Sequence, residues 1–300
     1  MHIIPCLKPG DKVAIVSPAS PPKSTDWELG LKVLEQWGLE VICAPNHLNT
    51  HFGLAGTDQQ RLSDLQWALN EPDIKAIFPI RGGYGTSRII DQVDFSNFAK
   101  YPKWIVGFSD ITTLLMHLNA LDFPSLHAPM PHNFLQLGGE IALENLKRLL
   151  FNEQFQLEIP SNSSNKLGTA EGEIIGGNLS LIVHLIGTKS FPCLKGKILL
   201  LEEIGENLYH IDRMLVQLKR GGFLSELAGM IVGGFTDCKE ASLEMGKSVN
   251  ELILEHTSDY NYPIVFEFPS GHIPNNQPIL LGVKSNLLVN SGKIQLTYQM

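Results

Sequence analysis

The sequence predicts an α/β fold: a mostly parallel sheet flanked by helices in the N-terminal half, then a smaller C-terminal α/β domain with several short strands. Two observations carry this. Short β-rich apolar runs alternate with helix-period segments over the first half, the pattern of parallel strands joined by crossover helices. A polar, turn-rich stretch, Ser161-Asn-Ser-Ser-Asn165, then precedes a second series of strands and helices. Residues 1–155 are therefore expected to form an N-terminal domain, 156–169 a linker and 170–300 a C-terminal domain.

The elements follow in order. Lys12 to Ser17 is a compact apolar strand that runs into a Ser-Pro-Ala-Ser-Pro-Pro loop. Ser24 or Thr25 then caps a helix with Trp27, Leu31 and Leu34 on one face, stopped by Gly38. Leu39 to Ala44 is the next strand. Thr57-Asp-Gln-Gln60 is a capping box, and Leu62, Leu65 and Leu69 continue it as an amphipathic helix. Lys75 to Ile80 is a strand leading into Arg81-Gly-Gly-Tyr-Gly85, and Trp104 to Val106 is another, interrupted by Gly107. Helical spacing resumes at Ile111, Leu114, Leu115 and Leu118, and a further helix runs from Glu140 to Phe151. Beyond the polar stretch come strands at 173–175, 197–201, 230–233 and 264–266. Helices are expected over 178–186, 211–218 and 249–256, and several short strands close the chain. No internal repeat is visible.

Composition narrows the function classes. At 43% hydrophobic and 18% charged residues the chain is globular, and a net charge of −8 with no Lys/Arg block argues against a nucleic-acid footprint. Cys6, Cys43, Cys193 and Cys238 are scattered, with no C-x-x-C pair, so reduced thiols are expected rather than disulfides or a zinc site. No run approaches the ~20 apolar residues of a membrane helix, and Pro5, Lys8, Asp11 and Lys12 break any signal-peptide core. The expectation is a soluble cytoplasmic protein without cofactor, metal, nucleic-acid or membrane partner.

Four stretches carry chemistry. In Gly107-Phe-Ser109-Asp-Ile, a serine stands at a strand-to-helix turn, where a hydroxyl is exposed beside a free backbone N–H. Ile111 replaces the last glycine of the usual Gly-x-Ser-x-Gly, and a serine that merely caps the helix is the competing reading. The Arg81–Gly85 loop suits a phosphate cradle, an oxyanion hole of backbone N–H groups, or a plain bend. It lacks the Lys-Ser/Thr of a P-loop. Leu199-Leu-Leu-Glu202-Glu203 is an apolar strand ending in two acids, of which only one can face a histidine, because adjacent strand residues point to opposite faces. The histidine best placed as a base is His272, flanked by turn residues in Pro-Ser-Gly271-His272-Ile-Pro. His184, inside Leu-Ile-Val-His-Leu-Ile, reads as a packed core residue, and structural roles suit His117 and His127.

Taken together, Arg81-Gly-Gly-Tyr-Gly85, Gly107-Phe-Ser-Asp-Ile-Thr112, Gly176-Gly-Asn-Leu179, Leu201-Glu-Glu-Ile-Gly-Glu206 and Gly271-His272 resemble the LD-carboxypeptidases. These serine peptidases include murein tetrapeptide carboxypeptidases and microcin C immunity peptidases, and the resemblance spans nearly the whole chain. It implies Ser109 as nucleophile, His272 as general base and Glu202 as the triad acid. It also implies the backbone N–H groups of Gly83 and Asp110 as the oxyanion hole. The implied reaction releases the terminal D-alanine of a murein tetrapeptide, and the implied setting is a cytoplasmic homodimer serving peptidoglycan recycling. A terminal carboxylate needs a cation or an N–H nest. Arg81 and Arg88 are candidates for it, with Tyr84 and Asn178 as further substrate-binding candidates. Cleavage of peptidyl- or aminoacyl-nucleotide conjugates is the alternative within the family. A non-enzymatic binder of an anion at Gly82 to Gly85 is the alternative outside it.

Overall fold

Strand alternation and helix spacing resolve into two sheets in the computed structural model, which describes residues 2–151 and 155–299. The first half contains β1 (Lys12–Val16), α1 (Asp26–Gln36), β2 (Glu40–Cys43), α2 (Asp58–Asn70) and β3 (Ile74–Pro79). It continues with α3 (Thr86–Ile89), α4 (Ser96–Lys100), β4 (Trp104–Gly107), α5 (Thr112–Ala120), β5 (Ser125–His127) and α6 (Glu140–Leu150). The second half holds β6 (Gln156–Pro160), β7 (Gly168–Asn178), α7 (Leu179–His184), β8 (Ile198–Ile204), α8 (Leu208–Arg220) and β9 (Gly229–Thr236). It ends with α9 (Val249–Thr257), β10 (Ile264–Val265), β11 (Ile279–Leu281), β12 (Lys284–Val289) and β13 (Lys293–Tyr298).

The first sheet has the order β11-β5-β4-β3-β1-β2, all parallel except β11, which pairs antiparallel with β5. The second runs β10-β9-β8-β7-β12-β13-β6, parallel from β10 to β7 and antiparallel beyond. Local chemistry sets the elements as expected in several places. The Thr57–Gln60 capping box forms, Gln60 N–H donating to Thr57 Oγ1 and Thr57 N–H to Gln60 Oε1. Gly38, at φ +85°, ends the first helix in a conformation that glycine adopts most easily.

Two features depart from the expected division. Gln156–Pro160, inside the expected linker, is the edge strand of the second sheet, its pairing satisfied by β13. Its short run of alternating burial is too brief to stand out in sequence. Ile279–Leu281 leaves the C-terminal half and completes the first sheet, because nothing in a three-residue apolar run says which sheet it joins. The boundary expected at 155/156 adjoins residues 152–154, which lie outside the described residues.

Alternation along β8 positions the chemistry. Ile198 and Leu200 pack into the core shared with the first sheet, while Leu199 and Leu201 pack into the core under α8 and α9. At the start of β4, the fully buried Lys103 donates from Nζ to the Ala68 and Glu71 carbonyls, at 3.0 and 2.5 Å. It thereby ties the end of the second helix to the strand that leads to Ser109.

Burial, then the charge of Lys75, pull the Lys103 ammonium down to about 8 from 10.5, against a smaller upward pull from Glu71. Between those values the unfolded chain binds the extra proton, so native stability rises with pH across that window. The gain is of order 3 kcal/mol. Denaturant unfolding of wild type and Lys103→Met at pH 8 and pH 10 should show this rise in wild type only. Parallel behaviour of the two would refute the assignment.

Candidate active site

Ser109 sits where the chain turns sharply from strand to helix. Its φ is +63°, in the left-handed region that costs a non-glycine residue about 1 kcal/mol or more. Gly107 makes the turn possible, since a Cβ there would meet Ile111 Cγ2 at 2.9 Å. The capping alternative does not hold: neither the 3₁₀ turn Ser109–Ile111 nor the helix after it has a side-chain cap. Among the described residues the serine hydroxyl makes no hydrogen bond.

The glycine loop lies against this turn. A Cβ on Gly82 would come within 3.1 Å of Ser109 Oγ and 3.2 Å of Asp110 N, so only glycine permits the approach. Gly83 follows at φ +112°. The buried Asp110 carboxylate accepts the Thr86 N–H at 2.9 Å, fixing the loop's far end. On the near side, Tyr84 N–H donates to Ser20 Oγ at 3.2 Å and Ser20 N–H to the Gly82 carbonyl at 3.3 Å. Sequence reasoning missed Arg61, a fully buried guanidinium that donates to the Pro18 carbonyl, to the Gly85 carbonyl at 2.8 Å and to Asp58. It clamps the loops after β1 and β3 together. Its place on an otherwise ordinary amphipathic helix gave no signal.

His272 and Glu202 meet from different elements. Nδ1 of His272 lies 2.5 Å from Oε2 of Glu202, whose side chain at the end of β8 is fully buried. Gly271, at φ +107°, is essential to the contact, because a Cβ there would lie 2.7 Å from Glu202 Cβ and 2.9 Å from Oε2. The loop is pinned by Gly271 N–H donating to Asn276 Oδ1 at 2.7 Å and Thr236 Oγ1 donating to the His272 carbonyl at 2.8 Å. Burial pushes the imidazole pKa down. The Glu202 hydrogen bond and charge, with the charge of Glu203, outweigh it, so the pKa ends above its ordinary 6.5. The same bond holds the proton on Nδ1 and leaves Nε2 free as a base. Phe108, next to the serine, packs its ring on His272 at 4.9 Å and 60°, joining the two ends of the site.

The adjacent acids diverge as strand geometry requires. Glu203 turns to the other side, where Oε1 accepts from Asn178 Nδ2 and Ile204 N–H at 2.7 and 2.9 Å, and Oε2 from Ser180 N–H at 2.8 Å. Burial raises its pKa. It anchors the start of the α7 helix and, through Asn178 N–H on Thr112 Oγ1 at 3.1 Å, the helix behind Ser109.

Other candidates are redistributed. Asn178, expected to bind substrate, is buried with its amide fully engaged, since Oδ1 accepts from Ser180 Oγ and Leu181 N–H. Arg88 holds Asp58 through two atoms, Nε at 2.9 Å and Nη2 at 2.6 Å, so its charge is already answered. Arg81 donates to the Pro21 carbonyl at 3.3 Å, and among the described residues no carboxylate pairs with it. Tyr84 is exposed on the loop. His184 is exposed, because helical spacing turns it away from the core. His117 bonds Ser190 Oγ at 2.8 Å and stacks on Phe95, a packing role. Beside His272 opens a cavity of about 200 Å³, lined by Phe108, Asn133, Gln136, Ile204 and Ile273 among others and by no Lys, Arg, Asp or Glu. The 133–136 loop had no periodicity or motif to mark it. Among the described residues no group of three or more His, Cys, Asp or Glu could hold a metal ion.

Comparison with known proteins matches residues 13–128 to the LD-carboxypeptidase N-terminal domain and residues 171–287 to the LD-carboxypeptidase C-terminal domain. A probable murein peptide carboxypeptidase of Bacillus subtilis is 35% identical over 93% of this chain and 89% of its own. The crystal structure of a muramoyltetrapeptide carboxypeptidase from Oxalobacter formigenes superposes with a TM-score of 0.86. It is 28% identical and covers 96% of this chain and 99% of its own. A microcin C7 self-immunity protein in complex with aspartyl sulfamoyl adenosine shares the fold, with a TM-score of 0.88 at 21% identity over 100% and 99% of the chains.

Gly271→Ala tests the geometry directly. The new Cβ displaces Glu202, so the His272 titration midpoint, followed by NMR of the ring, should fall, and the melting temperature should drop by several degrees. An unmoved midpoint would show that the glycine does not set the contact.

Proposed function

The chain belongs to the LD-carboxypeptidase family, and from this premise we propose that it is a serine carboxypeptidase releasing the terminal D-alanine of murein tetrapeptides. The observation that carries the residue assignment is the buried Glu202–His272 pair, joined through Phe108 to a strained, unbonded Ser109. A passive anion binder has no use for a buried acid–imidazole pair beside a serine.

In this reading Ser109 Oγ attacks the carbonyl before the C-terminal D-residue and gives its proton to His272 Nε2. The oxyanion is met by the backbone N–H groups of Gly83 and Asp110. Collapse breaks the C–N bond, His272 protonates the leaving amine, and an acyl-enzyme on Ser109 results. His272 then takes a proton from water, the hydroxide attacks the ester, and the serine is restored. Glu202 keeps the imidazole in its tautomer and steadies the imidazolium. Arg81, the loop cation with no carboxylate partner, receives the substrate's terminal carboxylate.

The nucleotide-conjugate alternative calls for an open aromatic ring to stack a base. Phe108 and Phe134, the aromatic rings lining the cavity besides His272, are both buried, which favours the peptide reading. The proposal includes a cytoplasmic setting, supported by four free cysteines, service in peptidoglycan recycling, and a homodimeric state to be read by light scattering.

Purified protein incubated with a murein tetrapeptide should yield, by mass spectrometry, a product lighter by one alanine, while an aminoacyl sulfamoyl nucleotide stays intact. Ser109→Ala should lower kcat by on the order of 10⁶ without loss of fold. Retention of a tenth of the activity would exclude Ser109 as the nucleophile.

The pH profile supplies an independent check. His272 must be neutral to act as a base, and its pKa lies above 6.5. The acid limb of kcat/KM should therefore lie above pH 6.5 and move down in Glu202→Gln, with kcat falling by about 10⁴. Glu203→Gln should instead lower the melting temperature, because the amide presents a donor to Ser180 N–H. Were Glu203→Gln the well-folded but inactive protein, the acid assignment would be reversed.

A further inference from the structure

One histidine inside the site takes no part in the chemistry described. His127 ends β5, is fully buried, and is fixed by register with Gly107 on one side and Ile279 on the other. Its ring lies behind Phe108, with centroids 5.9 Å apart at 62°, on the strand neighbouring the one that leads to Ser109. Nδ1 is 3.2 Å from Ser270 Oγ. Ser270 Oγ in turn donates to Asn276 Oδ1 at 3.4 Å, the atom that also accepts the Gly271 N–H. The ring thus reaches, from the first sheet, the loop that carries His272.

Its other nitrogen is the more telling. Nε2 of His127 is buried and has no hydrogen-bond partner. The same is true of Oε1 of Glu202, the oxygen that does not hold His272. The two residues are neighbours in the framework. A Cβ on Gly177 would lie 3.4 Å from His127 Cδ2, the carbon bonded to Nε2. Gly177 directly precedes Asn178, the register partner of Glu202. Because the one hydroxyl proton of Ser270 goes to Asn276 Oδ1, Ser270 Oγ accepts from His127 Nδ1–H, and the neutral ring keeps its lone pair on Nε2. Both orphans are then acceptors, which the two protons of one water can answer together.

We infer that His127 is a positioning residue for the acid–base pair. It steadies the His272 loop by donating from Nδ1 to Ser270, and its Nε2 shares with Glu202 Oε1 one bridging water that donates to both. A buried water joining otherwise unsatisfied polar groups is a normal component of a protein interior. The role requires a neutral ring, since an imidazolium has no lone pair at Nε2 for the bridging water. Burial drags the His127 pKa down to about 4, with Glu202 pulling it up and His272 pushing it down. Glu202 and His272 are the titratable groups facing it. The inference rests on the catalytic reading of that pair.

His127→Phe keeps an aromatic ring of similar size and removes both nitrogens, while Ser270→Ala removes only the hydroxyl. In both, kcat on the murein tetrapeptide should fall with KM held within about two-fold. The fall should be on the order of 10² for His127→Phe, the scale of a small misplacement in a site, and smaller for Ser270→Ala. The His272 titration midpoint, read by NMR, should move down in both as the Nδ1–Oε2 bond loosens. His127→Gln, whose side-chain amide restores both a donor and an acceptor, should recover part of the loss. Wild-type kcat and an unmoved midpoint in folded His127→Phe would overturn the inference. If that variant fails to fold, Ser270→Ala decides by the same two readings. Ser109→Ala is assayed alongside. Should it retain turnover, the catalytic reading is what fails, and the His272 titration still judges the role of His127.

Discussion

A carboxylate stripped of water must be answered by a proton donor, and the rest of the site is arranged to supply one. Glu202 has no exposed surface, and among the described residues the His272 bond at 2.5 Å is the hydrogen bond that answers its side chain. Several distant choices follow from that single contact. The strand that carries the acid is apolar up to its last turns, which brings the charge into the interior rather than to its edge. The partner loop begins with a glycine because any side chain would occupy the acid's place. The loop then folds back on Asn276 and Thr236, so the imidazole is presented rather than left to find its partner.

The Ser109 side is held by equivalent means. A strained serine persists only where its surroundings over-determine it, and here they do. Gly107 and Gly82 allow backbone to close in from two directions, and Asp110 and Ser20 tie the glycine loop at both ends. Arg61 spans two loops from beneath. Because Arg61 and Arg88 share Asp58, the charge that braces the loop and the charge on its surface form one network.

Much of this was legible in the chain. Helix caps such as Thr57 with Gln60 are local chemistry, and Ser109 and His272 stand among turn residues that point away from a packing role. The choice between Glu202 and Glu203 was not legible. It depends on which face of β8 meets which core, and that is a property of two sheets together. Asn178 looked like a ligand for the same reason, since a polar residue in a glycine motif reveals its burial only once Glu203 is beside it. His184 misled because its apolar neighbours in sequence are not its neighbours around the helix. Gln156–Pro160 and Ile279–Leu281 are too short to announce a sheet, and Arg61 acts through contacts with residues more than twenty positions away.

The crossing of Ile279–Leu281 into the first sheet has a consequence for the order in which the protein can be made. During synthesis the sheet that holds the serine turn is incomplete until residue 281 has emerged, and β5 presents an open edge until then. The His272 loop lies just upstream, between a strand of the second sheet and this last strand of the first. His272 and the strand that closes the sheet edge therefore emerge nearly together, long after Ser109.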